Sequence, residues 1–533
     1  MIKLSFYGAA RMVTGSCYIL DNGSTKVMID CGLFQGSKEI KERNYGAFPF
    51  NPGEIDYLLL THAHIDHSGL IPKLCKHGFR GPIIATSATA DLCTAMLPDS
   101  GHIQEMEVER KNRKYQRAGI SLLNPIYTVQ DAINSLQQFR PVNYGQEVQL
   151  TSEIRVCFRD AGHILGSSMV EVWVKDEERE IKVVFSGDIG NSNQPIINDP
   201  SLIEEADFVV MESTYGNRSH GEKEDKLELL SAAIRDTFKK GGNLVIPAFA
   251  VERTQDLLYD LNLLIDRQEI SPRNIYIDSP LAVTATEIFC RNSAYFDQET
   301  QAILNKQGGQ CPLYLPGLQF SRTVEESMAL NQITGGAIII SASGMCDAGR
   351  IKHHLKHNLW RKESTILFVG YQAQGTLGRK LLDGEKKVRI HGEEIAVKAE
   401  IRQINGFSAH ADQAGLLEWI QGFRVLPRRV FITHGEESGA ETLAGLLTQE
   451  IGVPTHVPGL LEEVILTGEI APIAKAKTTH PAVVEEITPL QVEDAYRRVQ
   501  QMFTAAMEEG MAKKNYQQLW SKLSAIERAL RGS

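Results

Sequence analysis

Short apolar and β-branched runs recur through the first half of the chain, each ended by Gly, Asp or Asn: Val27 to Ile29, Tyr57 to Leu60, Ile83 to Ala85, Ile154 to Phe158, Val183 to Phe185 and Phe208 to Met211. Runs of this length between turn formers predict strands. The pattern then changes. Glu224 to Lys239 has helical spacing, and strand and helix signals alternate through Asn243 to Ile246, Thr254 to Asp266, Asn274 to Ile277, Leu281 to Cys290, Gly336 to Ser341, Ile351 to Trp360 and Thr365 to Val369. Such alternation is the spacing of βαβ units around a parallel sheet. Strand signals return at Glu400 to Ile404 and Arg429 to Ile432. Beyond Gly459 the pattern weakens, and Ala471 to Pro481 reads as a linker of small and polar residues. Val492, Tyr496, Val499 and Phe503, then Leu519, Leu523, Ile526 and Leu530, keep helical spacing and predict two amphipathic helices broken near Gly510. Packing against the body is the plain role for these helices; homodimerisation is the alternative.

A chain of 533 residues exceeds the size at which one core stops growing, so more than one folding unit is expected. The start lacks the basic stretch and apolar run of a secretory signal, and no apolar run reaches the length of a membrane span, so a cytoplasmic protein without membrane partners is expected. The eight Cys lie scattered in apolar surroundings with no CxxC pair, which predicts buried free thiols rather than disulfides or a thiolate metal site. A formal net charge of −10 argues against indiscriminate polyanion binding; a nucleic acid would have to bind in a local groove.

The chemistry concentrates in Thr61-His62-Ala63-His64-Ile65-Asp66-His67-Ser68-Gly69, directly after the apolar run ending at Leu60. In an extended chain the two-residue period turns His62 and His64 to one side, and a following turn can bring Asp66 and His67 to a second metal. A catalytic zinc takes about three protein ligands and keeps a position for water, so more ligands must come from elsewhere. His163 in Ala161-Gly162-His163 and Asp188 in Ser186-Gly187-Asp188-Ile189-Gly190 are candidates at strand ends, beside glycines that permit tight turns. Asp30, at the end of another apolar run, can support a ligand histidine from behind.

The HxHxDH cluster followed by a later His, a later Asp and a final His resembles the metallo-β-lactamase superfamily. Met211-Glu212-Ser213-Thr214-Tyr215-Gly216-Asn217-Arg218, Phe407-Ser408-Ala409-His410-Ala411-Asp412 and Thr433-His434-Gly435-Glu436 further resemble the motifs of its β-CASP branch of RNA 3′-end-processing endonucleases. The resemblance implies an α/β architecture: a metallo-β-lactamase αββα sandwich from 1–215 and 398–465, an inserted α/β β-CASP domain at 216–397, and a linker with a C-terminal helical extension at 466–533. It is to the form that begins at the catalytic fold, without an amino-terminal RNA-binding extension. It implies two Zn²⁺ per chain, with His62, His64 and His163 on one, Asp66, His67 and His434 on the other, and Asp188 bridging. By the same resemblance Asp66, Asp188, Glu212 and His410 are catalytic, the last two as a pair near the leaving group. The sequence departs from the family in having Glu252 where the Pro247-Ala248-Phe249-Ala250 stretch usually continues to Gly.

The implied function is zinc-dependent hydrolysis of single-stranded RNA, endonucleolytic, in RNA processing or degradation. For substrate grip, Ser343, Gly344 and Met345 and the loop with Gly375, Thr376 and Arg379 offer bare amides and a guanidinium to phosphate. The segment from Arg350 to Lys362 puts Ile351, Leu355 and Leu359 on one stripe and leaves a basic face, ordinarily a solvated one, with Arg350 a candidate RNA contact. The rival readings are a thioester or lactone hydrolase on the same fold, a DNA nuclease of the branch, and a non-catalytic RNA-binding subunit. The long insertion between Glu212 and His410 argues against the first, and the full ligand set against the last.

Overall fold

The computed structural model describes residues 1–176, 179–220, 225–271 and 274–466. The linker and helices expected beyond 466 lie outside the described residues. Two seven-stranded sheets face each other. One runs in the order Glu462–Leu466, Ile2–Phe6, Tyr18–Asp21, Lys26–Ile29, Tyr57–Leu59, Ile83–Thr86, Phe139–Val142. The other runs Thr455–His456, Arg429–Ile432, Phe208–Met211, Arg179–Phe185, Ser168–Asp176, Ile154–Asp160, Glu147–Gln149. Alternate side chains from both sheets (Leu4, Phe6, Ile29, Phe158, Val172, Phe185, Phe431) fill the layer between them. Phe6 packs on Phe431 with ring centroids 5.5 Å apart. Helices cover the outer faces: Gln413–Gln421 and Glu437–Leu446 bury Leu416, Trp419, Ile420 and Leu443 against Val209, Met211 and Ile432.

Between the second sheet's central strands the chain builds a separate sheet, ordered Leu318–Phe320, Ile275–Ile277, Ile338–Ser341, Leu244–Pro247, Thr365–Phe368, Glu400–Gln403, all parallel. Its central strands are fully buried, as parallel strands covered on both faces must be. Its last strand ends at Gln403, so this sheet runs past the boundary expected at 397. The hairpin Lys387–Ile390 with Glu393–Ala396, the 32-residue helix Ser87–Ala118 and the strand Ser168–Asp176 add to the elements expected from sequence. The segment Met106–Asn124 belongs to the second of two compact units. Within it, the Asn112 side chain clasps the backbone of Leu123, donating at 2.9 Å and accepting at 2.8 Å.

One expectation is corrected. Cys290 and Cys311 form a disulfide, with Cα atoms 5.6 Å apart, while the other six cysteines are free and buried. A separation of 21 residues carries no local pattern, and only the packing of the helix Pro280–Arg291 beside the following loop brings the two sulfurs together. Among the described residues no helix is long and apolar enough to cross a membrane.

Candidate metal centre

Apart from His410, the polar residues at the centre follow the carboxyl ends of strands. Asp30 follows Lys26–Ile29, the His62 to His67 segment follows Tyr57–Leu59, His163 follows Ile154–Asp160, Asp188 follows Arg179–Phe185, Glu212 follows Phe208–Met211 and His434 follows Arg429–Ile432. The strands bearing Asp188, Glu212 and His434 are parallel neighbours, so their ends open on one edge. The strand bearing Asp30 is likewise parallel to the one before His62. Buried apolar runs thus fix the polar ends within a few ångströms.

The donors converge in two sets. In the first, His64 Nδ1 lies 3.1 Å from His62 Nε2 and 3.2 Å from His163 Nε2. Asp188 Oδ2 stands 3.5 Å from His62 Nε2 and 3.6 Å from His163 Nε2. In the second, His67 Nε2 and His434 Nε2 are 3.1 Å apart, Asp66 Oδ2 is 3.6 Å from His434 Nε2, and Asp188 Oδ1 is 3.3 Å from His67 Nε2. Asp188 therefore turns one oxygen to each set. Ring nitrogens pointing at one another, with the buried Asp188 Oδ1 lacking any hydrogen bond, are what a cation between them would satisfy. Burial holds the imidazoles of His62 and His163 well below the usual histidine range and that of His64 at about 4, which keeps their lone pairs free. The donor set fits divalent metal.

Asp30 is the support expected. Buried beneath the cluster, it accepts from His67 Nδ1 at 2.7 Å, Thr61 N at 2.8 Å and Thr61 Oγ1 at 2.9 Å. Holding Nδ1 turns Nε2 of His67 inward. A small cavity lined by Tyr18, Asp30, His67, Ser186 and His434 lies behind the cluster.

Glu212 is fully buried and accepts from Ile189 N at 2.5 Å and Thr214 N at 3.2 Å, which leaves its carboxylate against His410 Nδ1 at 3.2 Å. The other nitrogen, His410 Nε2, faces Asp188 Oδ2 at 4.0 Å. Burial alone would lower the His410 pKa, but Glu212, Asp188 and Asp66 together outweigh it and raise it to about 9. His220 was not singled out from the sequence. Its Nε2 lies 2.9 Å from the His410 carbonyl and its ring against Tyr215, 5.0 Å between centroids. Its only sequence signal is its place two residues beyond the Met211 to Arg218 motif.

The expected RNA contacts fare unequally. Arg350 is drawn off the basic face of its helix: it pairs with buried Asp278 at 2.7 Å and donates to the carbonyls of Ser321 and Arg322, so it ties the sheet's loops together. Thr376 caps the helix Leu377–Leu382, and Arg379 pairs with Asp383. Ser343, Gly344, Met345 and Gly375 lie in loops at the carboxyl ends of Ile338–Ser341 and Thr365–Phe368. Glu252 takes φ 67° and ψ −65°, a backbone region costly for a side chain bearing a β-carbon. It is buried, and its Oε2 accepts from Leu165 N at 3.2 Å, two residues past His163. Burial, then Asp256, pushes its carboxyl well above the usual range.

A buried His and Asp cluster on the open edge of a two-sheet sandwich defines a metal-dependent hydrolase of the metallo-β-lactamase fold. Residues 11–94 match the Metallo-beta-lactamase superfamily, 254–381 the Beta-Casp domain and 394–458 the Zn-dependent metallo-hydrolase RNA specificity domain. Ribonuclease TTHA0252 of Thermus thermophilus is 38% identical over 457 residues, covering 85% of this chain and 98% of that protein. Transcription termination factor FttA of Methanosarcina mazei is 29% identical over 475 residues, 87% of this chain and 72% of that one. The chain belongs to the β-CASP ribonuclease family of the metallo-β-lactamase fold. A protein of unknown function from Enterococcus faecalis V583 shares the fold, with TM-score 0.50 and 13% identity over 87% of this chain and all of that one.

Proposed function

We propose that this chain is a two-zinc ribonuclease that hydrolyses phosphodiester bonds of single-stranded RNA endonucleolytically, in the cytoplasm. The observation that carries the reading is the split of donors into two facing sets sharing Asp188, with His410 on the same carboxylate. His62, His64 and His163 would hold one ion, Asp66, His67 and His434 the other, and Asp188 both. When bound, the zinc ions lower the pKa of water toward neutrality and draw charge from the phosphoryl oxygen. The protein's own part is orientation and proton delivery. Asp30 sets His67, and Glu212 fixes His410 so that Nε2 points into the site. With Glu212 against Nδ1 keeping the ring charged, His410 Nε2 can release its proton to the leaving-group oxygen. The Ser343 to Met345 and Gly375 to Arg379 loops would meet the RNA backbone, with Arg350 supporting them rather than touching RNA.

The test is incubation of the zinc-loaded protein with end-labelled single-stranded RNA, matched DNA and a thioester, with and without chelator. RNA cut internally and only without chelator is expected. Preference for DNA or for the thioester, or RNA binding without cleavage, would replace the reading with a rival.

A further inference from the structure

The inserted sheet has a carboxyl edge of its own. The neighbouring parallel strands Leu244–Pro247 and Ile338–Ser341 send their crossovers in opposite directions. The helix Arg253–Asp266 leads from the first to Ile275–Ile277, beyond Ile338–Ser341. The helix Ile351–Asn358 leads from the second to Thr365–Phe368, beyond Leu244–Pro247. Each crossover passes over the neighbouring strand, and the loops that begin them lie together at the carboxyl edge of the sheet, the edge on which open α/β sheets take ligands.

Two aromatic rings stand at that place, Phe249 on the loop after Leu244–Pro247 and Tyr371 on the loop after Thr365–Phe368. Each is 48% exposed. A scattered exposed apolar residue is ordinary, but both rings are seated from behind. Phe249 lies on the backbone of Gly344, so close that a β-carbon there would meet the ring at 3.1 Å. Tyr371 has the Arg218 guanidinium 5.6 Å from its centroid. Gln372 Nε2 donates to Gly344 O at 2.9 Å and ties the Tyr371 loop to the Gly344 loop on which Phe249 lies. Hydrogen bonds link the segments around both rings to segments of the metal centre. Arg218 ends the motif that contains Glu212, and its carbonyl accepts from Gln413 N at 3.0 Å, three residues past His410. Glu252, three residues past Phe249, reaches Leu165 beside His163.

The geometry points to a base-stacking subsite: Phe249 and Tyr371 each take the face of a nucleobase of the strand whose phosphate lies at the metal centre. This rests on the ribonuclease reading above. A ring supported on one side and open on the other binds any base by its π-face, so grip here is independent of sequence. Backbone amides and arginine alone would hold phosphate without distinguishing an unpaired strand from a duplex; stacking needs unpaired bases.

The experiment is steady-state cleavage by the zinc-loaded protein of single-stranded RNA and of the same RNA with abasic nucleotides flanking the cut. On normal RNA, Phe249→Ala and Tyr371→Ala should each raise KM about 5- to 100-fold, with kcat changed far less. Abasic RNA should raise the wild-type KM similarly and the variants' KM little further. Phe249→Trp and Tyr371→Phe, which keep a ring, should stay near wild type, and equal zinc content controls for folding. Wild-type KM in the alanine variants, or an unchanged normal-to-abasic ratio, overturns the subsite while the ribonuclease reading stands. A wild-type protein that cleaves no RNA overturns both.

Discussion

Gly190 lies against Gly162 so closely that a β-carbon at 190 would stand 1.6 Å from the Gly162 carbonyl oxygen. The contact joins the loops carrying His163 and Asp188, and Gly190 also forms an isolated antiparallel bridge with His410, with Asn191 N donating to Ala409 O at 3.1 Å and Ala411 N to Ile189 O at 2.8 Å. Three segments of the candidate centre therefore meet at one residue without a side chain. Gly190→Ala should force them apart, destabilise the chain by about 1–3 kcal/mol and weaken zinc about 10- to 100-fold. Zinc competition against a chromogenic chelator checks it; unchanged affinity would show that the loops can part without disturbing the donors.

His410 and Asp188 should separate by metal content. Asp188→Ala should lose zinc and activity together. His410→Ala should keep its zinc and lose about 10²- to 10⁴-fold in RNA cleavage, the size of a general-acid contribution. An aryl phosphodiester, whose leaving group departs without a proton, should be hydrolysed by the His410 variant with much less loss. Equal losses on both substrates, or a fall in zinc, would make His410 structural.

Asp160 should show in the pH dependence of stability. Burial raises its pKa from 3.8 to about 6, while it accepts from Gly162 N at 2.9 Å. Between about pH 4 and 6 the native chain then binds more protons than the unfolded one, so this residue lowers stability as pH rises through that window and the deficit persists at pH 7. Asp160→Asn, which keeps the acceptor and removes the charge, should be more stable at pH 7 by about 1–3 kcal/mol, the gain vanishing near pH 4. Urea midpoints of both proteins at pH 4 to 7 decide; a gain that does not vary with pH counts against the buried charge.

Glu252 tests backbone strain. Glycine normally destabilises relative to alanine, but at φ 67° the β-carbon carries the penalty. Both Glu252→Ala and Glu252→Gly remove the acceptor of Leu165 N. Glu252→Gly should nonetheless be the more stable by about 1 kcal/mol. The reverse order in thermal unfolding would mean that the loop relaxes once the carboxylate is gone.

The strand runs and the candidate metal residues were legible in the sequence because both are local. Phe208–Met211 and Arg429–Ile432 form strands over the same residues that their runs predict, and four side chains of metal-ligand type within His62 to His67 have no ordinary surface role. The helix Ser87–Ala118 was not, because Pro98 sits inside it and its polar second half breaks the apolar periodicity. Relations between distant segments were beyond any local pattern. Cys290 meets Cys311, Arg350 turns to Asp278 instead of solvent, and Glu252 reaches the His163 loop. Residue type set what each side chain could do; which partner it does it with depends on where strand ends and crossovers place it. The sharing of Asp188 between two donor sets has the same origin. Its two oxygens face opposite ways because parallel pairings bring His434 to one side and two antiparallel pairings bring the His163 loop to the other.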